Sequence, residues 1–154
     1  MNDIQRAKGL PVNDRAHFLR PEIVADAASA AKARKEFGRW LQQHFALDEE
    51  RYNDLVLAVY EALANAAEYA YVGAALPGTV GLSADYAPES DTLMVTVVDR
   101  GCWRIPSGEQ PSNLRGRGIP LMHALADEAT IEGTPAGTEV TLAWFKLMNH
   151  QHPS

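Results

Sequence analysis

Apolar residues recur at helical spacing from residue 26 to about 70, then at strand spacing from residue 79 onward. Behind Asp26, which reads as an N-cap, Ala30, Phe37, Trp40, Leu41 and Phe45 repeat on one helical face. Asp48, with Arg51 and Leu55 behind it, opens a second helix that the pattern carries to about Tyr69. Its core stripe is Leu55, Val59, Ala62, Leu63, Ala66 and Ala70. Gly73 and Pro77-Gly78 end it and begin a turn. The period then falls to two. TVGLSADY alternates like a strand, DTLMVTVVD (Asp91 to Asp99) does so more strongly, and the acidic APESD between them reads as a hairpin loop. Arg100 to Arg117 has little periodicity and is rich in Gly, Pro, Ser, Asn and Arg. GIPLMHALAD reads as a helix with Pro120 in its first turn, where proline is tolerated. EATIEGT and TEVTLAWFK form a last hairpin around Pro135-Ala136-Gly137, and RAHFLR (Arg15 to Arg20) reads as a short strand at a sheet edge.

The order is strand, helix, helix, two strands, a long loop, helix, two strands. Without strict βαβα alternation it predicts an α+β fold: a two-layer sandwich whose mixed, mainly antiparallel sheet carries three helices on one face. Residues 1–14 read as a flexible N-terminal arm, 15–147 as one domain and 148–154 as a C-terminal tail. His150 and His152 belong to that tail and read as part of it rather than as a metal site.

Composition changes this picture little. The chain has 154 residues, 46% hydrophobic and 22% charged, enough for one domain with a real core. A net charge of −6 disfavours nucleic acid and anionic membranes as direct partners. The single cysteine, Cys102, excludes an intrachain disulfide and fits a reducing compartment. The first fifteen residues have no apolar core for secretion, and no stretch approaches the ~20 apolar residues of a membrane helix. A cytoplasmic protein is therefore expected.

Four short pieces carry candidate chemistry. Glu61 and Asn65 lie one turn apart on the flank of the second helix, at the border of its apolar stripe. A carboxylate held there is costly to desolvate unless it is paired or works on a ligand; the plainer reading is a solvated Glu61 and an Asn65 bonded to backbone. The strand VTVVDRG ends in Asp99 with Gly101 two residues on, which fits either a presented carboxylate or a simple Asp-x-Gly turn. In LRGRGIPLM, Gly116 and Gly118 alternate with Arg115 and Arg117 ahead of a helix, as in an anion site at a helix N-terminus or in a plain loop. Gly137-Thr138 opens the last strand, and a hairpin glycine explains it alone. Cys102 shows no base and no cause for a lowered pKa, so no nucleophilic role is assigned to it.

Taken in order, the four pieces resemble the N, G1, G2 and G3 boxes of the ATP-binding (Bergerat) fold shared by gyrase, histidine kinases and mismatch-repair ATPases, the GHKL superfamily. The phrases EALANAAEYAY and GRGIPLMHALAD look like the anti-sigma-factor serine kinases within it. The resemblance covers residues 15–147 and implies ATP and Mg²⁺ as cofactors. It implies that Asn65 coordinates magnesium and that Glu61 is the general base toward a serine hydroxyl. It implies that Asp99 accepts a hydrogen bond from the adenine amino group with Thr138 helping through water, and that Gly101 admits the base. Arg115, Gly116, Arg117 and Gly118 would bind the phosphates as part of a lid from Asp99 to Gly118. The implied partners are a sigma factor and a STAS-type anti-anti-sigma factor, with a second copy of the chain in a homodimer. Two positions depart from the family pattern: Trp103 stands where G1 usually has a second glycine, and Tyr69 where a histidine often follows the N box. Two rival readings accompany this one, a partner-binding regulator without catalysis and a detached histidine-kinase catalytic domain.

Overall fold

The structure, a computed structural model, describes residues 16–70, 78–100, 118–134 and 137–148. Strand β1 (His17–Val24) is followed by helices α1 (Ala27–His44) and α2 (Glu49–Asn65), the latter running into a π-helical turn, Ala66–Ala70. Strands β2 (Thr79–Ala87) and β3 (Thr92–Asp99), helix α3 (Gly118–Leu125), and strands β4 (Glu128–Thr134) and β5 (Gly137–Trp144) complete the order. The fold is α+β, with one five-stranded sheet in the order β1-β2-β3-β5-β4. Every described pairing is antiparallel, so the parallel component expected of a mixed sheet does not occur among these strands.

Local chemistry explains most boundaries. Asp26 and Asp48 cap α1 and α2, their carboxylates accepting the Ser29 and Arg51 backbone N–H groups at 2.7 Å. The Ser29 bonds hold the Asp26 carboxyl below its ordinary range. The β2–β3 hairpin turns at residues 88–91, where Asp91 takes the left-handed backbone (φ 53) and accepts the Tyr86 hydroxyl at 2.7 Å. Strand β1 runs past the expected Arg20 to Val24, through a bulge between Arg20 and Ile23 that lodges Pro21 on an edge strand. At the other terminus Leu147 is buried and the Met148 N–H bonds the Asp91 carboxylate at 3.0 Å, so the packed body extends to Met148.

All helices pack on one face. Alternate residues of β3 (Leu93, Val95, Val97) and β5 (Val140, Leu142, Trp144) are buried toward them, while Met94 and Val98 lie exposed on the other face. The predicted stripe of α2 is buried from Leu55 through Ala66. Phe37, Trp40 and Phe45 stack as expected, and Phe18 of β1 joins them with its ring 5.6 Å from Trp40. Ring pairs of this kind add about 0.5–1.5 kcal/mol beyond their buried area. No helix among the described residues is long and apolar enough to cross a membrane.

Candidate functional site

Register decides which residues share an end of the molecule. Asp99 at the end of β3 pairs with Val80 of β2 and Thr138 of β5, and Thr138 pairs with Gly133 of β4. The first turn of α2 is tied to the opposite end, because Arg51 Nη2 donates to the Phe145 carbonyl at 2.9 Å. Asn65, at the other end of that rod, therefore lies at the Asp99 end. Helix α3 runs the opposite way: its last residue, Leu125, accepts the Trp144 indole N–H at 3.0 Å, which leaves Gly118 at the Asp99 end. One edge of the sandwich thus collects Asn65, Asp99, Thr138 and Gly118.

Asp99 continues the inward series Leu93, Val95, Val97 and is only 3% exposed. Its Oδ1 accepts the Thr138 backbone N–H at 3.3 Å, and Thr138 is itself 5% exposed. A carboxylate buried this far is costly without hydrogen bonds, and as an acceptor it suits an N–H donor brought by a ligand. Gly137 makes the arrangement possible. A Cβ there would lie 2.0 Å from the Asp99 carbonyl oxygen and 2.9 Å from the Arg100 Cα, and the backbone sits at φ +152. Only glycine lets β5 approach β3 so closely beside the buried carboxylate. Sequence reasoning found the hairpin role of Gly137 and missed this one; its only signal was a Gly-Thr pair opening a strand.

Asn65 ends α2, and the backbone then widens into the π turn, a geometry that recurs at functional sites. The helical wheel puts Asn65 on the flank of the stripe, yet the residue is 5% exposed, and Ala58, between it and the stripe in angle, is fully buried. Helix α3 packs on α2, a contact that periodicity within α2 does not reveal. The Nδ2 of Asn65 has no hydrogen-bond partner among the described residues, so a bond to backbone is not made through this nitrogen. Leaving a buried amide nitrogen unsatisfied costs about 1–3 kcal/mol, so a group without a partner at a helix end invites a ligand. Glu61, one turn back, is half-buried, and its carboxylate makes no hydrogen bond or ion pair with any described residue.

These residues fit the groups the resemblance implies. The amide of Asn65 offers an oxygen that suits magnesium and, across its plane, a donor that suits a phosphate oxygen. Among the described residues no three His, Cys, Asp or Glu side chains gather to hold a metal ion, so an ion at Asn65 would take most of its ligands from phosphate and water, as magnesium commonly does. Gly118 opens α3 as expected. Gly101, Arg115, Gly116 and Arg117 lie outside the described residues, as do Cys102, Trp103 and the side chain of Tyr69.

Volume alone does not locate this site. A cavity of about 530 Å³ between β1 and α1, lined by Arg20, Glu22, Lys32 and Glu36 among others, touches neither Asn65 nor Asp99. A smaller one, about 270 Å³, borders Asp99, Gly137 and Thr138 from the side of Glu132 and Glu139.

A family model described as the histidine kinase-like ATPase domain matches residues 23–144. Among solved structures, the chain is similar to that of the RsbU and RsbW domains of Rv1364c from Mycobacterium tuberculosis, with a TM-score of 0.65 and 24% sequence identity. The alignment covers 85% of this chain and 32% of that one, so the chain spans about a third of the length of the structure it matches. At this identity the likeness is one of fold.

Proposed function

The chain belongs to the histidine kinase-like ATPase family, and from that membership we propose that it is an ATP-binding anti-sigma regulatory factor with serine/threonine-protein kinase activity. It sequesters a sigma factor, phosphorylates a serine of a STAS-type anti-anti-sigma protein, and works in the cytoplasm as a homodimer. The observation that carries this reading is the buried amide nitrogen of Asn65, unpartnered among the described residues, at the same sheet end as the Asp99–Thr138 pair. The similar structure includes an RsbW domain, which supports the choice within the family.

Each side chain then has a task. Asp99 accepts the exocyclic amino group of adenine, and the Thr138 N–H that already bonds its carboxylate keeps that acceptor oriented. Gly101 admits the base, and Arg115, Gly116, Arg117 and Gly118 meet the phosphates, where helix N-terminal amides and guanidinium groups favour anions. Asn65 would hold a magnesium ion, whose charge offsets that of the phosphates. Glu61 takes the proton of the acceptor serine as its oxygen bonds the γ-phosphorus and the bond to the β-phosphate oxygen breaks, leaving phosphoserine and ADP. Phosphoryl transfer asks little more of a protein than positioning, a base and charge compensation, and a positioned base contributes about 10²–10⁴ in rate.

The test is incubation with labelled ATP, magnesium and purified STAS-domain proteins encoded nearby, read as serine phosphorylation. Calorimetry with Mg-ATP runs beside it. Absence of both heat and thermal stabilisation would overturn the ATP-dependent reading and favour a regulator that acts by contact alone.

A further inference from the structure

The seam between α1 and α2 carries a charge pattern that the nucleotide site does not use. A groove of about 270 Å³ follows the seam where the start of α1 meets the end of α2, floored by Ala27, Ala30, Ala64 and Ala67. At the site end its rim is acidic, Asp26 and Glu68; at the other end stands Tyr60. The Arg34 guanidinium lies 5.4 Å from the centre of the Tyr60 ring, and its Nε is buried without a hydrogen-bond partner among the described residues. Neither Arg34 nor Glu68 makes an ion pair with any described residue. Among the described residues, then, Glu68 at one end and Arg34 at the other have no partner of opposite charge, and Arg34 lies against the Tyr60 ring. Asp26 alone is otherwise engaged, as the cap of α1.

The seam also lies where an acceptor must pass. At 100° per residue, Ala64 and Leu57 fall in angle between Tyr60 and Glu61. They form an outward crest, and Leu57 is 40% exposed on it. Inward of Glu61 lie Asn65 and the core, so a chain that delivers a hydroxyl to Glu61 comes from the solvent side and covers this crest.

Resting on the kinase reading above, we propose that the α1–α2 seam docks the phosphoacceptor protein and selects it by charge order. The docked segment carries a basic side chain over Asp26 and Glu68, next to the acceptor serine, and an acidic one over Arg34, roughly 12 Å along at the helical rise of about 1.5 Å per residue. An apolar residue between them covers Leu57. Complementary charge of this kind fixes register and rejects wrong partners more than it adds affinity.

The test uses the full chain, labelled Mg-ATP and a purified STAS-domain protein encoded beside it. Glu68→Lys, Arg34→Glu and Leu57→Asp each raise KM for that acceptor about tenfold, with kcat within about twofold and Mg-ATP affinity unchanged. Reversing the matching charge on the acceptor restores KM for Glu68→Lys. Glu68 and Leu57 are exposed, so two variants keep their fold even if Arg34→Glu does not. Transfer by the wild type with KM unmoved in Glu68→Lys and Leu57→Asp would overturn the docking surface and leave the kinase reading standing. A loss of self-association in these variants, with KM for the acceptor unmoved, would assign the seam to a second copy instead. No transfer and no Mg-ATP binding by the wild type would overturn both.

Discussion

The two ends of the sandwich bury polar groups to opposite effect. At the far end the Arg51 guanidinium, 5% exposed, donates to the Phe145 carbonyl at 2.9 Å and stands 3.5 Å from Asp127. The same Asp127 carboxylate accepts the Phe145 N–H at 2.7 Å, and the Trp144 indole closes the end of α3. Most of its polar groups are answered from within the chain; among the described residues the Nε of Arg51 and the indole N–H of Trp40 are exceptions. At the near end, among the described residues, the buried amide nitrogen of Asn65 is left without an answer, a carboxylate is buried beside a strand junction that only glycine permits, and the Glu61 carboxylate has no partner. The far end holds the layers together. The near end forgoes some of that stability at the place where the proposed nucleotide site lies.

The comparison breaks most sharply at Glu61. Glu61→Ala should lower phosphoryl transfer by about 10³-fold or more while calorimetry still records Mg-ATP binding; retained transfer would remove Glu61 from the role of base. Next, Gly137→Ala forces a methyl group against the Asp99 carbonyl and should cost about 3 kcal/mol in denaturant unfolding, with loss of nucleotide binding. A cost under 0.5 kcal/mol would mean that the β3–β5 junction yields easily. Asp127→Ala withdraws a partly exposed partner from a buried guanidinium and should cost about 2 kcal/mol without altering Mg-ATP affinity.

Asn65→Leu should move stability the other way, leaving it unchanged or raising it by about 1 kcal/mol, because an unanswered donor is replaced by an apolar group, while Mg-ATP heat disappears. If Asn65→Leu and Asp127→Ala destabilise alike, the contrast between the ends fails. The smallest effect is one of pH and belongs to the far end. Burial first, and then the Asp91 carboxylate it bonds, push the Tyr86 phenol up from its ordinary 10.0 to about 12. Between those values the folded chain keeps a proton that the unfolded chain releases, so stability should fall as pH rises from about 10 to about 12. Tyr86→Phe should flatten that slope in unfolding curves recorded across the range.

Much of the architecture was legible because it is local. Asp26 and Asp48 act on backbone amides three residues ahead, so capping shows in a short window. The alternation of DTLMVTVVD names the inward face of β3 without knowledge of its neighbours. The pieces of the candidate site were legible for a different reason: their order along the chain resembles a known set. Their depth was not. Asn65 reads as a flank residue on a helical wheel, and only its neighbours make it an interior one. Asp127 reads as a solvated helix end, yet it accepts a backbone N–H and faces Arg51, seventy-six positions away.

What the amino-acid order determined by itself was the set of elements, their caps and turns, the apolar faces and the residue types offered for chemistry. All of these depend on neighbours within a few positions. Register, the joining of Asp99 to Thr138, and the stranding of one amide inside a packed wall were decided only in three dimensions. Those properties depend on which distant backbone occupies the adjacent 5 Å, and no periodicity along a single chain records that.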